Sequence, residues 1–102
     1  MSQTEKNMVV FIQREAEKDP DVLRVVLFGS RARGDMHDRS DFDIAVETKT
    51  ESWAKTWDHW TLRFPTLCAV DLVHLNTLED NALLESIKKE GKIVYERLAT
   101  KT

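Results

Sequence analysis

The apolar positions change period several times along the chain, and each change marks an element. Ser2-Gln3-Thr4-Glu5 has the form of a capping box. Val9, Ile12 and Ala16 follow at helical spacing, with Met8 and Phe11 beside them, while Lys6, Gln13, Glu17 and Lys18 take the other face. Asp19-Pro20 ends this helix, because the residue before proline avoids helical angles. Val22 to Phe28 is an aliphatic run interrupted only by Arg24, the pattern of a strand buried on both faces. Asp41 to Glu47 then alternates, with Phe42, Ile44 and Val46 on one face and Asp41, Asp43 and Ala45 on the other.

Thr48 to Phe64 is expected to be helical, since Trp53, Trp57, Trp60 and Phe64 fall at i, i+4, i+7 and i+11 and Pro65 stops the run. That spacing is the spacing of a core face; a partner surface or a base-stacking platform is the alternative. Leu67 to Leu75 reads as a third strand with Asp71 set inside apolar sequence. Thr77-Leu78-Glu79-Asp80 opens a last helix with Leu83, Leu84 and Ile87 inward and Gly91 at its end. Lys92 to Arg97 is extended, with Ile93, Val94 and Tyr95 placed to add an edge strand or cover the core. The elements predict a small α/β (α+β) domain with a mixed or antiparallel sheet flanked by helices, residues 1–102 forming one unit.

Composition narrows the partners. The chain has 102 residues, 41% of them hydrophobic, enough for a modest core. Eighteen acidic against 15 basic residues give a net charge of -3, which argues against a protein that coats DNA or RNA. The single Cys68 excludes an intrachain disulfide and fits a reducing cytoplasm. No apolar run approaches the ~20 residues that span a bilayer, and the N-terminus lacks the pattern of a signal peptide.

The chemistry is concentrated between Phe28 and Val46, in FGSRARGDMHDRSDFDIAV. Asp41 and Asp43 lie two apart on a strand, so both carboxylates leave one face with Cα atoms about 6.5–7 Å apart. Such a pair can flank two metal ions for an in-line phosphoryl displacement, and oxygen-only donors favour Mg2+ or Mn2+ over zinc. Asp71 is expensive inside an apolar strand unless paired or coordinated. Beside Asp41 and Asp43 it would complete a three-acid metal site and accept the nucleophile's proton; alone, it would cap or pair with an arginine. Gly29 allows a sharp turn and a close phosphate approach, and Ser30 offers a hydroxyl and an N–H. A short helical turn from Arg31 to Gly34 would aim further N–H groups at the same place. Arg31 and Arg33 either add charge there or pair locally with Asp35, Asp38 or Asp41. His37 lies in the polar loop, His59 on the solvent side of the tryptophan helix and His74 at a strand end. Cys68 is read as a small buried residue, and Tyr95 as either a core side chain or an acceptor.

Gly29-Ser30, ten intervening residues and Asp41-Phe42-Asp43 together resemble the signature of the DNA polymerase β-type nucleotidyltransferase superfamily. Within it, GSRARGD followed by SDFDIAV resembles the minimal nucleotidyltransferase (MNT) family, over nearly the whole chain. The resemblance implies catalysis by Asp41, Asp43 and Asp71, triphosphate contact by Gly29 and Ser30, ATP as nucleotide donor and two Mg2+ ions. It also implies an antitoxin that transfers AMP to a tyrosine of a HEPN-domain RNase toxin, the partner completing the acceptor site. Two other readings stay open: transfer to a small hydroxyl compound such as an aminoglycoside, and a non-catalytic antitoxin that neutralises its toxin by binding.

Overall fold

The computed structural model describes residues 2–34, 40–49 and 53–97. Helix α1 (Gln3–Lys18) is followed by strand β1 (Val22–Phe28), a four-residue helix α2 (Ser30–Arg33) and strand β2 (Phe42–Thr48). Helix α3 (Ala54–Thr61), strand β3 (Val70–His74), a 3-10 turn at Leu75–Thr77, helix α4 (Asn81–Glu90) and strand β4 (Lys92–Glu96) complete the order. The sheet order is β3-β2-β1-β4. β1 is antiparallel to both β2 and β4, whereas β2 and β3 are parallel, so of the mixed and antiparallel sheets that the element order allows, the sheet is mixed.

The capping box opens α1 as expected: the Ser2 hydroxyl accepts from the Glu5 amide and the Glu5 carboxylate accepts from the Ser2 amide. Met8, Ile12 and Ala16 are buried from this helix against one face of the sheet, with Val22, Val25, Leu27, Phe42, Ile44 and Val46. Trp60 of α3 is 1% exposed in the same cluster, with Trp53 and Phe64 packed beside it. Trp57 is 45% exposed, so the stripe is core at its centre and surface at one position. The opposite face carries Val26, Phe28 and Ala45 under Ile87 of α4. Alternation along β2 therefore feeds two cores from one strand.

Two boundaries differ from the sequence pattern. Thr48 belongs to β2 rather than to a helix. Asn76 explains this, since its side chain accepts from the Thr48 amide (3.0 Å) and donates to the Thr48 carbonyl (2.7 Å), imitating a neighbouring strand. Of the helix expected over 48–64, positions 50–52 lie outside the described residues, and the described part is helical over Ala54–Thr61, where the Thr61 hydroxyl turns back onto the Trp57 carbonyl at 2.7 Å. Phe64 packs on the core from outside any helix. The third strand is likewise shorter than Leu67 to Leu75.

Arg97 fastens the last strand. Its amide donates to the Leu23 carbonyl (2.8 Å), and its guanidinium donates to the carbonyls of Val22, Ala16 and Asp19 at 3.0–3.1 Å. One cation thus caps the end of α1 and holds β4 to β1. Among the described residues no helix is long and apolar enough to cross a membrane.

Candidate functional site

The end of β1 turns sharply at Gly29, whose φ of 74° and ψ of -156° suit glycine alone. A Cβ at this position would also overlap the Asp43 carboxylate. Glycine is needed here twice, for the backbone angle and for the space in which Asp43 sits. The chain then coils into α2, with Ala32 and Arg33 amides donating to the Gly29 carbonyl at 3.1 and 3.0 Å. Gly34 closes the turn in the left-handed region, at φ 87°. No hydrogen bond among the described residues uses the Ser30 hydroxyl or its amide. The expected helical turn after Gly29-Ser30 is present.

Asp43 pairs in register with Phe28 on one side and with Asp71 on the other. Register partners share a face, so the Asp43 and Asp71 carboxylates stand side by side on the α4 side of the sheet. Burial raises the Asp43 pKa above its ordinary value; the Asp71 and Asp41 charges raise it further, and Arg33 works against them. The electrostatics therefore place Asp41, Asp43, Asp71 and Arg33 at one location. Arg33 also bonds Glu90 of α4 at 3.2 Å. Sequence spacing gave no hint of Glu90, since α4 returns to this corner only through the tertiary fold.

Two expectations need correction. Asp71 is exposed, not buried: β3 is an outer strand, and its α4-side residue at this end is left uncovered. Asp71 therefore stays in contact with water, and it does stand beside Asp43 as expected. Arg31 does not join the Gly29-Ser30 turn on the Asp43 side. It is 4% exposed, with its guanidinium 3.9 Å from the Phe42 ring centroid and bonded to the Ser40 carbonyl at 2.9 and 3.1 Å. Glu5 lies 4.0 Å away, itself 4% exposed, and Cys68 Sγ is at 3.7 Å. Phe42 belongs to the opposite face from Asp43, so Arg31 anchors the loop into the core. Cys68 beside it is half-buried rather than enclosed.

His37, Asp35 and Asp38 lie outside the described residues. His59 is exposed and bonded to Glu15. His74 is buried, hydrogen-bonded to the Thr48 hydroxyl at 2.9 Å and stacked on Trp53 at 4.5 Å. Tyr95 is half-buried against the α1-side core, near Arg97.

The donor set at the acidic corner is oxygen only, which suits a hard divalent cation. Like charges in partial burial and a backbone cleared of Cβ atoms also fit such an ion. Among the described residues, however, no three His, Cys, Asp or Glu side chains stand as a ready-made metal-holding group.

No curated protein matches the sequence. Several solved structures share the fold. A chain of a crystal structure described as a toxin-antitoxin with AMP-PNP superposes with a TM-score of 0.66 at 24% identity, covering 94% of this chain and 75% of that one. A chain of the toxin-antitoxin MntA-HepT gives 0.64 at 24%, covering 91% and 73%. A chain of the tri-AMPylated Shewanella oneidensis HEPN toxin in complex with MNT antitoxin gives 0.61 at 22%, covering 95% and 74%. Residues 11–99 match the family described as polymerase beta, nucleotidyltransferase. With the Gly-Ser turn, the paired strands and the acidic corner all inside that match, the chain belongs to the polymerase β nucleotidyltransferase family.

Proposed function

We propose that this protein is an ATP- and Mg2+-dependent protein adenylyltransferase, an antitoxin that modifies a HEPN-domain toxin on a tyrosine. The observation that carries the reading is the Asp43–Asp71 register pair set against the Gly29-Ser30 turn. Its fold likeness to chains of toxin-antitoxin structures, one with AMP-PNP and one with an AMPylated HEPN toxin, supports the donor and the partner.

In this reading Ser30 and the Gly29 backbone hold the β- and γ-phosphates, and Arg33 adds positive charge. Asp41, Asp43 and Asp71 would hold the divalent cations, which would supply neutralisation of phosphate charge. Asp71, the exposed member, meets the acceptor and takes the hydroxyl proton. The hydroxyl oxygen bonds to the α-phosphorus in line, and the bond from that phosphorus to the bridging oxygen breaks. AMP ends on the acceptor and pyrophosphate leaves. Positioning and charge neutralisation supply the catalysis. The reading places the protein in the cytoplasm, where ATP is supplied.

Incubation of a HEPN-domain protein with this chain, ATP and Mg2+ tests the proposal by intact mass. A gain of one or more AMP units is expected, and is expected to vanish with Asp41→Asn or Asp43→Asn. A stable complex without mass gain would replace transfer by inhibition through binding alone. Adenylylation of a small hydroxyl compound in place of the protein would move the acceptor to that class.

A further inference from the structure

The two edges of the sheet are treated differently. On β4 the outer side is covered: Gln13 of α1 donates to the Val94 carbonyl at 3.1 Å, and Lys92 and Glu96 put charges along the strand. Such devices keep other chains from pairing with an edge. Among the described residues β3, the opposite edge, has no such side-chain cover, and its charge is confined to one position. The segment from Leu67 to His74, LCAVDLVH, has no lysine, arginine or proline, and Asp71 is its one acid.

The direction of the unpaired groups follows from the ladder. The Phe42 amide donates to the Ala69 carbonyl at 2.9 Å, so Ala69, Asp71 and Val73 turn their backbone groups towards β2. Val70 and Leu72 turn theirs outward, and no hydrogen bond among the described residues reaches that side. Where the chain enters β3, Thr4, Phe64, Pro65, Thr66, Leu67 and Cys68 line a groove of about 520 Å³, and the Leu67 side chain is fully exposed.

We infer that the free edge of β3 is the docking site of the acceptor polypeptide, which pairs there as a fifth strand. The inference rests on the adenylyltransferase reading and adds how the acceptor is presented. A strand added to β3 lies about 4.8 Å beyond it. Its residue opposite Asp71 then points to the same face as Asp71 and Asp43, which sets a hydroxyl side chain at the acidic corner. About three to four positions along the added strand from that residue, its side chains meet the groove at Leu67. A second copy of this chain is the poorer occupant, because pairing centred on Asp71 would set two carboxylates opposite each other. The favoured occupant is an extended, hydroxyl-bearing segment with apolar or basic neighbours.

The test compares Val70→Pro with Val70→Ala, reading AMP transfer to a HEPN-domain protein by intact mass and ATP binding separately. Both variants lose the valine side chain, but only proline removes the outward N–H, at the first residue of a strand where proline is tolerated. Transfer is expected to slow about tenfold or more in Val70→Pro and by less than about threefold in Val70→Ala, with ATP affinity kept in both. Amide exchange at Val70 and Leu72 of the wild type, slowed on adding the acceptor protein, provides the same answer should the proline variant fail to fold. Equal transfer by both variants, or unchanged exchange in a complex that transfers AMP, would overturn the edge assignment and leave the adenylyltransferase reading standing. Absence of transfer by the wild type overturns that reading, and the edge assignment with it. A dimer of this chain that Val70→Pro dissociates would give the edge to a second copy.

Discussion

Asp43 and Asp71 stand in direct register across the β2–β3 pair, the one parallel pair among the described strands. Asp43 is half-buried beside Gly29 and Asp71 is exposed at the outer strand. One carboxylate thus faces the turn and the other faces whatever approaches the edge. Their repulsion is built into the resting fold, which makes the acidic corner costly without a cation and gives four measurable expectations at the site and the core around it.

Asp43→Asn should abolish nucleotidyl transfer and raise the melting temperature at neutral pH. The sign follows from the raised pKa of Asp43, caused first by burial and then by Asp71 and Asp41. A carboxyl raised in the folded state favours folding while protonated, and that advantage is lost as pH rises through the folded pKa. The wild type therefore falls behind the asparagine variant as pH rises above the ordinary carboxylate range, and the margin shrinks as pH falls back towards it. Thermal melts between pH 4.5 and 7.5 check this; a margin that grows on acidification would contradict it. Mg2+ should raise the wild-type melting temperature more than that of the variant.

Gly29→Ala should cost about 1–3 kcal/mol for the backbone angle alone. The overlap with Asp43 adds to this and moves the carboxylate, so transfer should fall even in the folded fraction. Urea unfolding and single-turnover transfer measure the two effects separately. Retained activity with lost stability would show that the position of Asp43 is not critical.

Arg31 and Arg33 should behave oppositely although they are two residues apart. Arg31→Ala strips a buried guanidinium from Glu5, Ser40 and Phe42 and should cost about 3–5 kcal/mol of stability. Arg33→Ala removes a partly exposed pair with Glu90, worth about 0–1 kcal/mol, but weakens triphosphate binding. Calorimetric ATP titration beside thermal melts distinguishes the two, and loss of affinity from Arg31→Ala in a fully folded sample would restore Arg31 to the phosphate site.

Trp60→Ala should cost about 3–5 kcal/mol, as expected for a fully buried aromatic side chain, and Trp57→Ala, half exposed, only about 1 kcal/mol. Denaturant midpoints of the two variants check the contrast. Equal losses would mean that Trp57 is covered in solution.

Periodicity carried most of the fold. β1 has the predicted limits, the Ser2 capping box is formed, and alternation in β2 assigned Phe42 and Asp43 to opposite faces as observed. What linear pattern could not show was which strand would be outermost. An aspartate within apolar residues reads as buried, yet at a sheet edge its side of the strand is open, as at Asp71. Thr48 departs from the pattern for a similar reason: the partner that keeps it extended, Asn76, lies 28 positions away. Arg31 shows the limit at the site itself. An arginine beside a Gly-Ser turn suggests phosphate contact, and only the opposite direction of its side chain, towards Glu5 and Phe42, reassigns it to the core.

β1 lies in the interior of the sheet, yet one of its two neighbours is β4, the last of the described strands, with Arg24 opposite Glu96. During synthesis at about 5–20 residues per second, the interval between the two is roughly 4–14 s. Throughout that time β1, an almost wholly aliphatic segment, has one bare side that another nascent chain can pair with. The clasp by Arg97 on Val22, Ala16 and Asp19 is then the event that ends the exposure. The folding of this protein is set to be gated by β4 and Arg97, and truncation just before β4 is expected to yield aggregates where a merely destabilised monomer would otherwise be found.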